Sequence, residues 1–418
     1  MPPAALVCLV EGLPRLVKLD LAHSQCDKGV LSALASCRQL QELDISWCDK
    51  LSLASLPHLA YDCTQESFTC QALEKLDAYG LGGKGNQFSA LAFMLLALSH
   101  LKHLGHKCVS KAVVMIHKRQ FKNARLPRGF PSLTELTELV ISTQMNEGRS
   151  TFALPLLEID KVDQSCLPVV RAMCPLLASV KVQIKDNSAL APNFFPWHSL
   201  THLDLRCRKD SPRDLRDLLP VTAFLGAQLQ SLAIHNFSFV EEFSFHALLC
   251  HCPKLQDLKV SFFSPPKPRH DRQPDIGATD LDFSLPFEFP QLSNFFLEYS
   301  KKQSPLPRYH AKVLRQCIVA LMIQSPCLKR LNLTRLPFSL DQVFKEVLKP
   351  SGAALQQLCE LSLVQVMISK DTIHLLLSLE NPLNFLVLKR CPGINEKEYE
   401  ELQNITFSKG LDLNIDWQ

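Results

Sequence analysis

Several features of membrane, metal-binding and redox proteins are missing from this chain of 418 residues. No two of its sixteen cysteines form a C-x-x-C pair, which leaves common zinc ribbons and thioredoxin-like motifs unsupported. No apolar run, the one at Leu91 to Leu98 included, approaches the roughly 20 residues that a membrane-spanning helix needs. The apolar N-terminus lacks a preceding basic region, so a signal peptide is not predicted.

The charge also lacks the strong, clustered basic excess of dedicated nucleic-acid binders, since the formal net charge is only +4. Basic clusters at Lys118-Arg119, Arg206 to Lys209 and Lys267 to Arg272 are short and lack interleaved aromatics, so we interpret them as solvated surface. The cysteines are scattered through a long chain, which is typical of a reducing compartment. We therefore expect a cytoplasmic or nuclear protein that binds neither nucleic acid nor membrane.

No local motif of catalysis or cofactor binding is complete. Gly80 to Gly85 resembles a phosphate-binding loop, but a glycine follows its lysine where a magnesium-binding serine or threonine is required. Cys250-His251-Cys252 has no matching second half, and adjacent residues of a helix point in different directions. No G-x-S-x-G frame occurs. We predict a protein that is not an enzyme, with no cofactor and no metal.

The dominant signal in the sequence is an internal repeat of the form L-x-x-L-x-L, in which other apolar residues replace some leucines. The mean spacing is about 31 residues, slightly longer than the roughly 20 to 29 residues usual for a leucine-rich repeat. The copies begin at Leu16, Leu40, Leu73, Leu101 (a weak copy), Leu136, Leu177, Leu200, Leu229, Leu255, Leu292, Leu328, Leu358 and Leu383.

The two apolar residues of L-x-L lie two positions apart, so they share one face of a short strand. Apolar stripes at helical spacing follow each strand, for example Val313, Leu314, Ile318 and Leu321. A single unit cannot bury both its strand and its helix, so the units must stack. The sequence therefore predicts an α/β leucine-rich-repeat solenoid of about 12 to 13 irregular repeats. We expect a single domain, 1–418, shaped as a horseshoe with a parallel concave sheet and convex helices.

Some stretches interrupt the repeat. Residues 80–88 read as a flexible turn, and residues 143–165 as a polar insertion. Residues 264–280 are rich in proline and charge, which predicts a flexible loop, and Lys301 to Arg308 is a related short stretch. We interpret these as surface insertions.

Residues between the leucines carry a family resemblance. The segments Leu43 to Leu51 and Leu386 to Ile394 place Cys48 and Cys391 just after the strand. C-P-x-L appears as Cys174-Pro175-Leu176-Leu177 and again from Cys252 to Leu255. This pattern resembles the cysteine-containing repeats of F-box/leucine-rich-repeat proteins, the substrate receptors of Skp1–cullin ubiquitin ligases.

The resemblance implies a protein-interaction module that serves as substrate-recognition subunit or adaptor of such a ligase. An F-box module would precede the repeats, but the first clear repeat already begins at Leu16. We therefore expect contact with Skp1 and a cullin through a missing N-terminal segment. The alternatives are a receptor of the Zyg/Zer type and a stand-alone scaffold or inhibitor similar to ribonuclease inhibitor.

The concave face is the expected binding site for a protein partner of this monomer, because its outward side chains repeat in register. The first three repeats are acidic there, which would suit a basic segment of the partner. The exposed aromatics Tyr79 and Phe296 are the expected anchors. The candidate residues are Asp20, Asp44, Asp77, Tyr79, Lys181, Asp204, Arg206, His235, Lys259, Phe296 and Glu298.

Overall fold

A computed structural model describes residues 2–82, 88–148, 151–185, 189–195, 197–241, 243–263, 289–300, 306, 308–348, 354–378, 382–408 and 413–418. Its contacts divide the chain into two compact units, Met1–Gln183 and Ile184–Gln418. The expected continuation of both into one solenoid stays a prediction. The loop predicted at 264–280 lies outside the described residues, as does most of 301–308.

The first unit alternates short strands with helices. Its strands are β1 (Lys18–Asp20), β2 (Glu42–Asp44), β3 (Tyr61–Asp62), β4 (Ser67–Phe68), β5 (Lys75–Asp77), β6 (His103–Gly105), β7 (Glu158–Asp163) and β8 (Ser179–Ile184), whose last residue is the first of the second unit. Its helices are α1 (Pro3–Glu11), α2 (Lys28–Leu34), α3 (Pro57–Ala60), α4 (Phe88–Ala97), α5 (Val109–His117), α6 (Leu133–Asn146) and α7 (Leu167–Met173). Strands β3 and β4 form a small antiparallel pair.

The second unit repeats the same alternation. Its strands are β9 (His202–Cys207), β10 (Ser231–Ser238), β11 (Asp257–Phe263), β12 (Asn294–Ser300), β13 (Arg330–Thr334), β14 (Glu360–Val364), β15 (Phe385–Lys389) and β16 (Asn414–Trp417). Its helices are α8 (Leu219–Leu225), α9 (Ser244–His251), α10 (Arg308–Ile323), α11 (Leu340–Leu348), α12 (Lys370–Leu377) and α13 (Glu396–Ser408). The strands from β9 to β16 pair in parallel with their sequence neighbours.

The strand leucines stack in register along each unit. In the first unit Leu43 pairs with Leu76, and Leu76 pairs with Leu104. In the second, Leu232 pairs with Leu258, which pairs with Phe295. All of these side chains are buried. Each unit therefore has the predicted α/β leucine-rich-repeat solenoid fold, in which a helix of one repeat and the strands of its neighbours share one core.

Buried cysteines close the turns of the repeats. The thiol of Cys48 donates to the carbonyl oxygen of Leu21 in the preceding repeat at 3.1 Å, and Cys391 does the same to Leu363 at 3.3 Å. Burial raises the pKa of Cys174 and of Cys252 to about 12, which leaves these thiols protonated and unreactive. All sixteen cysteines are free. The role of the buried cysteines in the described repeats is therefore packing and hydrogen bonding.

The strand predicted at Leu136-Leu139-Ile141 is wrong, because these residues belong to α6. A capping box begins this helix: the backbone N–H of Glu135 donates to Oγ of Ser132, and the N–H of Ser132 donates to Oε2 of Glu135. The strand of this repeat is β7, and the stretch 143–165 predicted as a polar insertion contains it.

A β-bulge explains why the repeat pattern did not predict this strand. Ile159 pairs with Val180 but Val162 pairs with Val182, so one extra residue separates the two buried positions of β7. The spacing L-x-x-L-x-L is thereby lost.

One glycine is required by the close approach of two repeats. A Cβ added at Gly226 would lie 2.3 Å from the carbonyl oxygen of His251 and 2.9 Å from Sγ of Cys252. We expect Gly226→Ala to lower the free energy of unfolding by about 1–3 kcal/mol, since the backbone at the end of α9 must shift. Urea denaturation followed by circular dichroism measures this change.

Gly82→Ala is the matched control, because a Cβ at Gly82 would meet no atom within 4 Å. Its expected effect is within about 0.5 kcal/mol of zero. Equal stability of the two variants would contradict the close approach at Gly226.

Candidate functional site

In each unit, the side chains that alternate with the buried strand residues form a surface that we call the sheet face of that unit. In the first unit Asp20, Asp44 and Asp77 lie side by side on it, in register. Oδ1 of Asp20 accepts the backbone N–H of Ala22 at 2.9 Å, and Oδ1 of Asp44 accepts that of Ser46 at 2.8 Å. Both carboxylates therefore stabilise the backbone at the end of their own strand, besides contributing charge to the face.

Asp77 is the centre of a charged cluster. Its Oδ1 lies 2.9 Å from Nε2 of His103, and its Oδ2 lies 3.3 Å from Nζ of Lys75. The other ring nitrogen of His103 lies 3.3 Å from Oε2 of Glu158. Burial acts to raise the pKa of Asp77, but the hydrogen bond and charge of His103, together with Lys75, hold this pKa below its usual value. The carboxylate is thus ionised and already partnered at neutral pH.

Lys181 stands apart from the three aspartates and pairs with a residue that the sequence did not reveal. Its Nζ lies 2.7 Å from Oδ1 of Asp160 on β7. The bulge in β7 breaks the repeat spacing, so the sequence pattern did not predict Asp160 as a residue of the sheet face. His103 was missed as well, although the weak repeat at Leu101 gave its position.

In the second unit the structure brings the predicted residues of β9 and β10 together. Arg206 donates from Nε and Nη2 to both carboxylate oxygens of Asp204, at 3.0 and 2.8 Å. Nε2 of His235 lies 3.6 Å from Oδ1 of the same carboxylate. Burial lowers the pKa of His235 below 6.5, and the charge of Asp204 opposes that shift.

The next strands add an aromatic and a second ion pair. Nζ of Lys259 lies 5.9 Å from the ring centroid of Phe296, whose side chain is half-buried. Glu298, in register with Ser261 on β11, forms an ion pair with Arg335. The second unit therefore presents a face on which charges pair with one another around Phe296.

An exposed aromatic at the strand ends of the first unit was missed by the sequence reasoning. Trp47 is 56% exposed and stacks on His23, with ring centroids 6.2 Å apart. Both residues have left-handed backbone, with φ of 59° and 58°, which turns them out of the strand. The Trp47 ring lies against Gly80, and the Tyr79 ring lies against Gly105, where a Cβ would clash with it. In both cases a glycine in the next repeat leaves room for the ring, and this spacing is the sequence signal that could have indicated where the rings lie.

The cluster Cys250-His251-Cys252 is divided among separate contacts. Nδ1 of His251 lies 3.0 Å from Oγ1 of Thr222, and Sγ of Cys250 lies 3.7 Å from Nδ1 of His246. Cys252 is buried. Across the described ranges, no three histidine, cysteine, aspartate or glutamate residues are grouped as metal ligands would be. Nor does any described helix have the length and apolar character needed to cross a bilayer.

Comparison with known proteins gives distant structural likenesses only. No family model matches the sequence, and no curated protein matches it. The chain is similar to a chain of the yeast Rad7–Elc1 complex, with 13% identity, a TM-score of 0.49, and coverage of 99% of this chain and 88% of that one.

Two bacterial structures are also similar. For an internalin of Listeria monocytogenes the identity is 14% and the TM-score 0.43, with coverage of 97% of this chain and 88% of that one. For a leucine-rich-repeat protein of Leptospira interrogans the values are 13% and 0.30, with 98% of each chain covered. At these values the likenesses carry no functional argument.

The lowered pKa of His235 predicts acid sensitivity. Above its unfolded value of 6.5 the histidine is neutral in both states, and its burial then costs no stability. As the pH falls below 6.5 the unfolded chain binds the proton first, so stability is lost until the folded pKa is reached. We expect His235→Gln to reduce the fall in unfolding free energy between about pH 7.5 and about pH 5.

Chemical denaturation at the two pH values measures this difference. His198→Gln serves as the control, since His198 is exposed in the same unit. An unchanged fall in the His235 variant would refute the assignment.

Proposed function

We propose that this chain is a protein-interaction module of the cysteine-containing, F-box-associated type, and that the sheet face of each unit is a binding surface for a protein partner. The observation that carries the proposal is the alignment of side chains on successive strands, which offers one partner contacts from several repeats at once. Trp47 at the strand ends of the first unit, and the Lys259–Phe296 pair of the second unit, supply aromatic contact area, which dominates interface energies. The module works by binding and not by catalysis.

The charges on this face favour selectivity over raw affinity. Asp77, Asp160 and Asp204 each have a cationic neighbour on the same face. The charged groups of a partner must therefore complement these ion pairs or take the place of one member of each pair. A partner whose charges do not fit would break an existing ion pair without replacing it. The acidic strip at Asp20 and Asp44 would meet a basic segment of that partner.

We further propose that the partner is a substrate, and that the chain is the recognition subunit or adaptor of a Skp1–cullin ubiquitin ligase. Support comes from the resemblance at Cys48, Cys391 and the C-P-x-L turns, whose cysteines at 174 and 252 are buried where the repeat needs a compact turn. A cytoplasmic or nuclear location and a monomeric state fit this role.

Affinity purification from cultured cells of the protein expressed from its full-length transcript, so that any segment preceding the repeats is included, tests both parts by quantitative mass spectrometry. We expect Skp1 and a cullin to be recovered with the wild-type chain and with Trp47→Ala and Phe296→Ala. One or more other proteins should be depleted about tenfold or more by at least one of these variants, because an aromatic anchor is lost.

Phe407→Ala is the matched control, since Phe407 is 90% exposed on α13, outside the strands. This variant should retain every partner. Absence of Skp1 and cullin would refute the ligase role, and a partner that still depends on Trp47 or Phe296 would then favour the stand-alone scaffold. Partners indifferent to both aromatics would refute the sheet face as the binding site.

A further inference from the structure

One stretch of the first unit carries charge of a single sign. From residue 78 to residue 134 the sequence has no aspartate or glutamate and nine lysines and arginines, although the whole chain has 45 basic and 41 acidic residues. The described cations of α5 and its flanking loops are exposed: Lys107, Lys111, Lys118, Arg119, Lys122, Arg125 and Arg128. Within the described part of the chain, none of these seven forms an ion pair. No ion pair within the described residues therefore neutralises their charge.

A cavity of about 630 Å³ lies among these cations. The residues that line it are Phe88, Lys111, Val114, Met115, Arg119, Gln120, Lys122, Asn123 and Cys166. We call its exposed cations Lys111, Arg119 and Lys122 the rim, and its less exposed apolar residues Phe88, Val114 and Met115 the floor. Nζ of Lys111 stands 5.4 Å from the centroid of the Phe88 ring, at the boundary of rim and floor. Glu138 lines a smaller neighbouring cavity of about 320 Å³, which Arg119 and Lys122 also border. We call the larger cavity and its rim the basic pocket.

The arginine on the rim stands where a glycine would fit the backbone better. Arg119 has a φ of 49° at the end of α5. Its N–H donates to the carbonyl oxygen of Ile116, and the N–H of Gln120 donates to that of Met115, both at 3.1 Å. This is the Schellman motif, whose left-handed position is normally glycine. The left-handed backbone at this position is strained for an arginine, and it carries a long cationic side chain that lines the pocket.

The chemistry of the pocket discriminates among polyanions. Single-stranded nucleic acids stack their bases on exposed aromatic side chains, but Phe88 is half-buried and faced by Lys111. A duplex would contact the cations through its phosphates and leave the apolar floor unused. A membrane-binding surface inserts large apolar side chains, and none is exposed among residues 100–132. An acidic peptide that also carries apolar side chains matches both the rim and the floor of the pocket. Its carboxylates would pair with the cations of the rim, and its apolar side chains would pack against the floor.

We propose that the basic pocket is a second protein-binding site, for an acidic segment with interspersed apolar residues in a partner protein. This site is built from α4, α5, the loop after α5 and Cys166, so it uses none of the side chains of the sheet face. It therefore does not depend on the ligase role, and a partner could occupy it alone or together with one on the sheet face.

The test is fluorescence anisotropy of the full chain with a labelled synthetic peptide in which pairs of glutamates alternate with single leucines. Binding should be saturable, and it should weaken about tenfold or more between about 50 mM and about 500 mM NaCl because exposed charges are screened. Arg119→Glu with Lys122→Glu should weaken it about tenfold or more. Replacing the leucines of the peptide by serine should also weaken binding, since the floor then stays empty.

Arg38→Glu with Lys50→Glu is the matched control, because both residues are exposed in the same unit and the change in net charge is identical. An equal loss in this control would refute a localised site. No binding of the peptide, or equal binding of its serine version, would refute the proposal. So would tighter binding of an oligonucleotide or of phosphatidylserine vesicles that the Arg119 and Lys122 changes abolish.

Arg119→Gly separates binding from folding. Glycine relieves the left-handed strain, so the melting temperature should stay the same or rise. The affinity for the peptide should nevertheless fall about threefold or more, because one rim cation is gone. Unchanged affinity in this variant would show that Arg119 takes no part and would overturn the assignment of the rim.

Discussion

The rest of the structure depends on one constraint: no repeat can bury its strand and its helix by itself. Each strand leucine completes its core only against the equivalent residue of the next repeat, as Leu43 does with Leu76 and Leu258 with Phe295. Even the thiol of Cys48 finds its acceptor in the preceding repeat. Because burial fixes the register of every strand, it also fixes which outward side chains become neighbours on the sheet face.

This constraint explains how far the sequence alone could be read. The spacing of leucines predicted most strands and the fold class, because burial acts on positions two residues apart in one chain segment. It failed at residues 136–141, where a capping box begins α6, and at β7, where a bulge breaks the spacing. The sheet face was harder still. Whether Asp77 stands free or pairs with His103 depends on a residue one repeat away, and no local pattern encodes that contact.

The two candidate binding surfaces differ in how they manage charge. On the sheet face, Asp160 and Asp204 have cationic neighbours, so much of the formal charge is already neutralised. In the basic pocket, Lys111, Arg119 and Lys122 have no such partner among the described residues. Paired charges select among partners by geometry, whereas an unpaired cluster attracts an anionic segment over a distance of about a Debye length, roughly 10 Å. The sheet face is therefore suited to discriminating between partners, and the basic pocket to fast association with an acidic segment.

The sixteen free cysteines have a consequence for the unfolded chain. In the native state, burial keeps thiols such as Cys174 and Cys252 protonated, and a protonated thiol is a poor nucleophile. Unfolding returns each of them to a pKa near 8.5, where a fraction is thiolate and open to exchange. In an oxidising medium the chain would then cross-link at random and fail to refold. The fold thus protects its buried thiols from reaction only while it stays intact. Whether unfolding is reversible therefore depends on the redox potential of the surrounding medium.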